Sequence, residues 1–218
     1  MMEHSQWDVV ILKPTAVFLS FLSAQLPDCE LPDLQLLQTD NTAYALCKQD
    51  NDEKMVDELE KNYTAMFQHE IARWLGPIVY DPIEFSFLDF LRCFKFAVHS
   101  QIVLMEPSID AGHQLLCVKP RSVWLKSFKS AVGNSTLLRR IVDDANESHL
   151  AENATVVIKN FKQLTDIKPF MQNYYEPVLK SELSRMCTDI SSLPVVDDFY
   201  AFTRYFAVEI HSQLIHLH

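Results

Sequence analysis

The feature that most constrains this sequence is an internal repeat. The run Val9-Val10-Ile11-Leu12-Lys13-Pro14 returns 106 residues later as Leu115-Leu116-Cys117-Val118-Lys119-Pro120. Between residues 82–102 and 194–214, now at an offset of 112, eight of 21 positions are identical, and they include the tripeptide His-Ser-Gln. Ordinary amino-acid usage would supply about one or two such identities. The sequence therefore predicts a duplicated unit, with one repeat at 1–109 and the other at 110–218.

Each repeat divides into the same series of elements, a βαββαα unit. A short apolar run predicts a buried strand, and the Lys-Pro after it favours a helix, because proline suits the first helical turn. The predicted strands are 9–12, 34–38 and 43–48, then 115–118, 137–142 and 155–159. The predicted helices are 14–25, 53–75 and 84–105, then 120–132, 163–187 and 197–216. The fold class is therefore α+β and helix-rich, with two pseudo-symmetric halves that form either one sheet or two lobes.

The last predicted helix of each repeat carries a stripe of large apolar side chains. Phe87, Phe90, Leu91 and Phe94 have the i, i+3, i+4, i+7 spacing of one helix face, and the second repeat shows a similar pattern from Phe199. Such a stripe predicts packing in the core, with a groove for a partner as the alternative.

Composition excludes several classes of function. Three glycines in 218 residues leave little scope for a Gly-rich phosphate loop, and no nucleophile-elbow, Walker or dinucleotide motif is present, so no cofactor is predicted. Five widely spaced cysteines without a CxxC pair indicate reduced thiols. No signal-peptide pattern opens the sequence, so we expect a cytoplasmic protein.

The charge is distributed unevenly along the chain. Residues 1–109 hold 7 Lys+Arg against 17 Asp+Glu, a net charge of −10, whereas residues 110–218 hold 12 of each. Charge repulsion disfavours nucleic acid or an anionic membrane as a partner of the acidic half, and attraction favours a basic protein segment. Simple solubility is the alternative explanation.

The residues that most resemble an enzyme site are His99 and His211, each followed by Ser-Gln. Positions shared by both repeats, however, mainly report what each repeat needs to fold. His69-Glu70 lacks the second histidine of a zinc-protease helix. Asp197-Asp198 lies at a predicted helix start, where aspartate caps N–H groups, and Asp143-Asp144 lies in a loop. We predict neither a catalytic residue nor a metal site.

Function is expected where the repeats differ, because the common fold does not require those differences. The first such place is the acidic start of helix 53–75. The second is helix 120–132, which is basic where the first repeat is neutral. The predicted partner-binding residues are Asp50, Asp52, Glu53, Asp57, Glu58 and Glu60 on the acidic stretch and Arg121, Lys126 and Lys129 on the basic helix. A solvated acidic helix face is the alternative for the first group.

The opening Trp7–Leu26, Trp-Asp-Val-Val-Ile-Leu-Lys-Pro-Thr-Ala-Val-Phe-Leu-Ser-Phe-Leu-Ser-Ala-Gln-Leu, and the acidic helix at 50–60 resemble the LvgA-type adaptors of the type IVB (Dot/Icm) secretion coupling complex. The resemblance is one of general character. It implies a non-enzymatic subunit that assembles with a coupling ATPase and small acidic chaperones and helps to present effector proteins for export. Such a complex would hold the cytoplasmic protein at the inner membrane. An apolar groove would then take helical anchors of an effector segment, while the acidic stretch would pair with its Lys or Arg side chains.

Two other functions fit the sequence. One is an acidic inhibitor or immunity protein that blocks a basic cleft of a single partner. The other is a small hydrolase or transferase with a site at the repeat junction that uses His99 or His211. Burial of both imidazole rings would count against this enzyme.

Overall fold

A computed structural model of the chain describes residues 6–25, 31–76, 85–106, 109, 112–132, 151–186 and 195–217. These residues form seven α-helices and two four-stranded sheets, so the predicted α+β class is confirmed. The strands are β1 Trp7–Pro14, β2 Ala43–Cys47, β3 Phe94–His99, β4 Ile102–Leu104, β5 Gln114–Pro120, β6 Val156–Lys159, β7 Phe206–His211 and β8 Leu214–His216. The helices are α1 Ala16–Gln25, α2 Leu34–Leu37, α3 Asp52–Leu75, α4 Phe87–Cys93, α5 Ser122–Val132, α6 Ile167–Met186, preceded by a 3-10 turn at Leu164–Asp166, and α7 Phe199–Tyr205.

The inner strands β1 and β5 are buried on both faces. The four residues 9–12 of β1 are at most 5% exposed, and residues 115–118 of β5 are fully buried. β1 pairs antiparallel with β2, and β5 pairs antiparallel with β6. A continuous apolar run is what a strand covered on both faces requires, so the two predicted strands are confirmed.

Each sheet takes three strands from one predicted repeat and its fourth strand from the other. The strand order is β3-β1-β2-β8 in the first sheet and β4-β6-β5-β7 in the second. β8 runs parallel to β2, and β4 runs parallel to β6. The chain accordingly forms a first compact unit, Gln6–Val98 with His211–His218, and a second compact unit that contains His99–Ile210. These units differ from the predicted division at residue 109/110, because long-range strand pairing decides which strand completes each sheet.

The elements of the two units correspond in position. The Thr15 N–H ahead of α1 donates to the Cys93 carbonyl at 2.8 Å, and the Arg121 N–H ahead of α5 donates to the Tyr205 carbonyl, also at 2.8 Å. These pairs are related by the offsets of the sequence repeat. The origin of the two halves by duplication stays a prediction.

Each unit has its own hydrophobic core, in which helices pack on one face of the sheet. The first core contains Val10, Leu12, Phe18, Leu22, Tyr44, Leu46, Leu59, Met66, Phe67, Phe90 and Phe94, among others. The second contains Leu116, Val118, Trp124, Phe128, Val157, Phe170, Met171, Val178, Phe202 and Phe206, among others. Members of the Phe stripe are present in both cores, so its prediction as core is confirmed for these residues.

The long helix α3 begins and ends at clear local signals. The Asn51 side chain accepts the Lys54 N–H at 2.9 Å and so caps the first turn. Gly76 follows the last residue with φ 75° and ψ −179°, a conformation that essentially only glycine adopts without strain. The predicted helix 53–75 is therefore confirmed.

The predicted helices 84–105 and 197–216 are wrong over most of their length. Helix α4 ends at Cys93 and α7 ends at Tyr205, and each continues directly into a strand. The backbone becomes extended at Phe94 (φ −132°, ψ 139°) and at Phe206 (φ −125°, ψ 142°). In the second repeat, Phe206, Val208 and Ile210 then alternate in the manner of a strand, and all three pack in the core.

The predicted strand 34–38 is also wrong, because this segment is the short helix α2. The Asp33 side chain accepts the Leu36 N–H at 2.8 Å and caps it. Its counterpart at 137–142 and the loop with Asp143-Asp144 lie outside the described residues.

Within the described ranges, no helix is both long and apolar enough to cross a membrane.

Candidate functional site

The two repeated histidines lie where the chain passes from one sheet to the other. Both side chains are fully buried. His99 Nδ1 lies 2.8 Å from the Ala154 carbonyl oxygen, and His211 Nδ1 lies 2.9 Å from the Asn41 carbonyl oxygen. A buried ring bound to a main-chain carbonyl holds two segments together, and its burial argues against a catalytic site on either histidine.

The Ser-Gln residues after each histidine complete this attachment. We call His99-Ser100-Gln101 the first corner and His211-Ser212-Gln213 the second corner. The Val156 N–H donates to the Gln101 carbonyl at 2.9 Å, and the Ala43 N–H donates to the Gln213 carbonyl at 3.0 Å. Each corner thus fixes the exchanged strand, β4 or β8, to the edge strand that receives it.

The corners also explain why β3–β4 and β7–β8 do not form hairpins. A tight two-residue hairpin turn favours Gly, Asn or Asp, because it needs positive φ. Among the described residues other than glycine, only Asn153 has positive φ. At each corner, Ser-Gln therefore leads the chain into the other sheet and does not form a hairpin turn.

A buried carboxylate–guanidinium pair lies behind the first corner. Glu182 is fully buried, and its Oε1 lies 2.5 Å from Arg185 Nη2. Its Oε2 accepts the Thr155 N–H at 2.7 Å and the Arg185 Nε–H at 3.2 Å. Arg185 also donates to the Glu152 carbonyl at 3.1 Å. These bonds join α6 to the start of β6.

The corresponding residues behind the second corner are arranged differently. Arg73 donates to Thr42 Oγ1 at 3.0 Å, and its Nη2 lies 3.2 Å from Asp40 Oδ2. The Tyr44 hydroxyl lies 3.1 Å from Glu70 Oε1. Arg73 is therefore directed to Asp40, whereas Arg185 is directed to the glutamate of its own helix.

Burial raises the pKa of the Glu70 carboxyl, against the opposing effects of Thr42, Arg73 and Tyr44. Because the folded-state pKa lies above the unfolded value, the stability that this group contributes is present at low pH and is lost as the pH rises through the folded-state pKa. Burial likewise raises the pKa of the Tyr44 phenol well above its ordinary value.

We therefore expect Glu70→Gln to become more favourable relative to the wild type as the pH rises. Glutamine keeps an acceptor for Tyr44 but does not titrate, so the difference in free energy of unfolding should be more in its favour at pH 8 than at pH 5. Urea denaturation at both pH values measures this shift. The exposed Glu60→Gln serves as the control and should show no comparable change, and a constant difference for Glu70→Gln would contradict the assignment.

The predicted acidic stretch forms the exposed face of the first turns of α3. Asp50, Asp52, Glu53, Asp57 and Glu60 are exposed, and Glu58 is half-buried. Lys54 lies 2.5 Å from Asp50, which lowers the pKa of that carboxyl, and Lys61 lies 3.2 Å from Glu58. No described residue forms an ion pair with the other four carboxylates.

An apolar side chain lies among these acids. Val56 is 42% exposed, one helical turn from Asp52 and from Glu60. Met55 and Leu59 face the core instead. The surface therefore combines unpaired negative charge with one apolar contact point, which sequence analysis did not single out.

The predicted basic residues lie in the second unit. Arg121 and Lys126 are exposed, and Lys129 is half-buried on α5. Val123 is 38% exposed on the same helix. The acidic and basic groups thus belong to different units. All the predicted partner-binding side chains in both groups are exposed or half-buried.

Other candidate residues have structural roles in their units. The Asp198 side chain accepts the Ala201 N–H at 2.6 Å and caps α7, as expected for Asp197-Asp198. His69 is exposed on α3 beside the Tyr44 ring. No group of three His, Cys, Asp or Glu residues in the described part of the chain is arranged to hold a metal ion.

Sequence analysis missed the residues that receive the exchanged strands, namely Asp40, Asn41 and Thr42 with their counterparts Asn153, Ala154 and Thr155. The one available signal was the threonine that both repeats carry, Thr42 and Thr155, at an offset of 113. It was weak, because Asn41 and Ala154 accept through main-chain carbonyls that any residue type carries, and the side chains of Asp40 and Asn153 differ in type.

The thiols of the described cysteines differ in accessibility. Burial raises the pKa of Cys93 to about 11 and that of Cys117 to about 12, whereas Cys47 is exposed. Cys29 and Cys187 lie outside the described residues.

We expect a thiol-specific reagent at pH 7.5 to label Cys47 rapidly in the native protein. Cys93 and Cys117 should react at least about 100-fold more slowly, because a buried, protonated thiol is a poor nucleophile. Alkylation time courses with peptide mapping measure the three rates, and urea-unfolded protein provides the reference. Equal native rates at Cys47 and Cys117 would contradict the described packing.

Comparisons with known proteins give no relative from which a function could be transferred. No family model, no curated protein and no solved structure matches this chain.

Proposed function

We propose that this protein is a non-enzymatic adaptor that captures protein segments rich in Lys and Arg through the acidic face of α3. We define this acidic face as Asp52, Glu53, Val56, Asp57 and Glu60. The observation that carries the proposal is that its four carboxylates are exposed and have no cationic partner among the described residues, around an exposed apolar side chain.

The acidic face suits a helical or extended segment with mixed character. Complementary charge steers such a segment and fixes its register, while an apolar contact contributes to affinity. Acids near a helix N-terminus also stabilise the helix itself, but this effect falls off within the first turn. Asp57 and Glu60 lie beyond that turn, so their placement favours a role outside the fold.

The finer proposal follows the resemblance to LvgA-type adaptors. The protein would act in the cytoplasm beside a coupling ATPase and small acidic chaperones, and it would present effector segments with basic and apolar residues. The acidic face would be the effector-binding surface, and the basic residues of α5 would serve a different, acidic partner.

The test is affinity purification of the tagged protein from its native cells, with two matched variants. The first carries Asp52→Lys, Asp57→Lys and Glu60→Lys on the acidic face. The second carries Glu152→Lys, Glu176→Lys and Asp197→Lys, three exposed positions in the second unit, and makes the same change in net charge.

We expect the first variant to lose at least about tenfold of the captured partner, because several charge pairs contribute together, while the second variant retains it. Circular dichroism and the urea midpoint should show that both variants are folded. Equal capture by wild type and first variant would contradict the proposal. Recovery of one tightly bound basic protein, without an ATPase or chaperones, would favour the inhibitor alternative.

A further inference from the structure

The main-chain bonds that attach the two exchanged strands are the same in both sheets. Beyond the corners, the Met105 N–H after β4 donates to the Ile158 carbonyl at 3.2 Å, and the Leu217 N–H after β8 donates to the Ala45 carbonyl at 3.1 Å. Because every residue other than proline carries these main-chain groups, they would accept either strand. Side chains that differ between the two units must therefore distinguish β4 from β8.

Glu106, two residues beyond β4, is bound by side chains and a main-chain group of the second unit. Its Oε2 lies 2.9 Å from His113 Nε2, just ahead of β5, and its Oε1 lies 3.2 Å from Lys159 Nζ, at the end of β6. The Asn160 N–H donates to the same Oε1 at 3.4 Å. The hydrogen bond from Lys159 is the largest cause of a lowered pKa of the Glu106 carboxyl, so these partners favour the ionised carboxylate. The far end of β4 is therefore held through a charge.

The first unit has no such partners at the matching positions. Trp7 lies 106 residues before His113, at the offset of the repeat. Leu46 and Lys159 occupy matching positions in the β1–β2 and β5–β6 ladders, and Leu46 packs in the first core. A carboxylate in the place of Glu106 would therefore face an aromatic ring and an aliphatic side chain in the first unit.

The far end of β8 is held by an aromatic contact instead. The His216 ring of β8 lies edge-on to the Trp7 ring, with 4.2 Å between the ring centroids. The residue of β4 that corresponds to His216 at the offset of 112 is Leu104, which is 37% exposed. β8 thus presents an aromatic ring to its sheet where β4 presents an aliphatic side chain.

We propose that these end contacts specify which strand enters which sheet, with Glu106 selecting the second sheet for β4 and His216 selecting the first sheet for β8. Specificity of this kind is a difference between two affinities, and it includes the penalty for the wrong pairing. In the first sheet, Glu106 would lose both His113 and Lys159. In the second sheet, β8 would leave Lys159 without its carboxylate. The exchange of strands thus depends on two pairs of side chains that the shared His-Ser-Gln corners do not contain.

The test is amide hydrogen exchange of the full-length protein, in which the Met105 amide reports on β4 and the Leu217 amide reports on β8. The main variant is Glu106→Lys, which places like charges against each other, and Glu106→Gln is the milder change. The double variant Glu106→Lys with Lys159→Glu exchanges the two charges and restores their attraction. Glu176→Lys, at an exposed position of the same unit, is the control.

In Glu106→Lys, we expect the Met105 protection factor, corrected for intrinsic exchange, to fall by about tenfold or more while that of Leu217 stays unchanged. Glu106→Gln should cause a smaller loss at the same amide, and the control should cause none. The double variant should recover at least roughly half of the loss on a logarithmic scale. Unchanged protection of Met105, equal losses at Met105 and Leu217, or no recovery in the double variant would overturn the proposal.

Trp7→Leu tests the other end contact. Because an aromatic pair contributes beyond the area that it buries, the Leu217 protection factor should fall by about fivefold, and that of Met105 should stay unchanged. A loss at Met105 as large as that at Leu217 would contradict the selection of β8 by His216 and Trp7.

Discussion

Replacing Glu182 by glutamine is expected to lower the free energy of unfolding by about 3 kcal/mol. The side chain is fully buried, binds Arg185 through both oxygens and accepts the Thr155 N–H at 2.7 Å. Removing one member of a buried ion pair leaves the other charge without compensation, which costs about 3–5 kcal/mol. Urea denaturation measures the loss, and an unchanged m-value would show that the transition remains two-state.

The matched control is Glu70→Gln in the first unit. Glu70 is just as buried, but its neighbour Arg73 is directed to Asp40 and Thr42, so glutamine leaves no guanidinium without a partner. We expect a change below about 1 kcal/mol at pH 7. Equal losses for the two substitutions would contradict the difference that we describe between the two units.

Replacing either corner histidine by alanine should also cost about 3 kcal/mol. His99 and His211 are fully buried, so alanine leaves a cavity and a main-chain carbonyl without its partner. Asparagine, whose amide can take the place of the ring Nδ1–H, should recover part of this loss. Thermal or urea denaturation of the four variants gives the values.

The two alanine variants should differ in which strand loses protection from hydrogen exchange. His211→Ala should speed hydrogen exchange at Ala43 more than at Val156, and His99→Ala should do the reverse, since each ring attaches its own exchanged strand. A stability loss near zero in both alanine variants would argue that the rings are conserved between the halves for another reason, and the enzyme alternative would then regain support.

The parts of the fold that sequence analysis predicted correctly are those with local signals. Residues 9–12 and 115–118 are continuous apolar runs, and both are strands buried on two faces. Helix α3 lies between the Asn51 cap and Gly76, within one residue of its predicted limits. In each case the physical cause lies within a few residues of the element.

The errors arose where a local pattern suited two structures. Phe87, Phe90, Leu91 and Phe94 have helical spacing, and the helix prediction was extended past Cys93 because more apolar residues follow. Strand geometry after that point is stabilised by partners distant in sequence, which periodicity does not reveal. The short apolar run Leu34–Leu37 also suits a strand, but the Asp33 side chain caps it as a helix.

The exchange of β4 and β8 could not have been predicted from one sequence. Gln213 binds Ala43 across 170 residues, and the bonds join main-chain groups that every residue type carries. The charged surfaces were easier to find, because a difference between two aligned repeats is visible without a structure. The apolar side chain beside the acidic surface was harder to find, because the exposure of Val56 depends on how α3 packs.

NMR detection of scalar couplings across individual hydrogen bonds shows which strand each sheet receives. The repeated His-Ser-Gln corners pass a strand to the other sheet and so serve the fold, which leaves function to the surfaces where the halves differ. We predict couplings from the Ala43 amide nitrogen to the Gln213 carbonyl carbon and from Val156 to Gln101. Couplings from Ala43 to Gln101 and from Val156 to Gln213 would mean that each half keeps its own strand, and the account would be wrong.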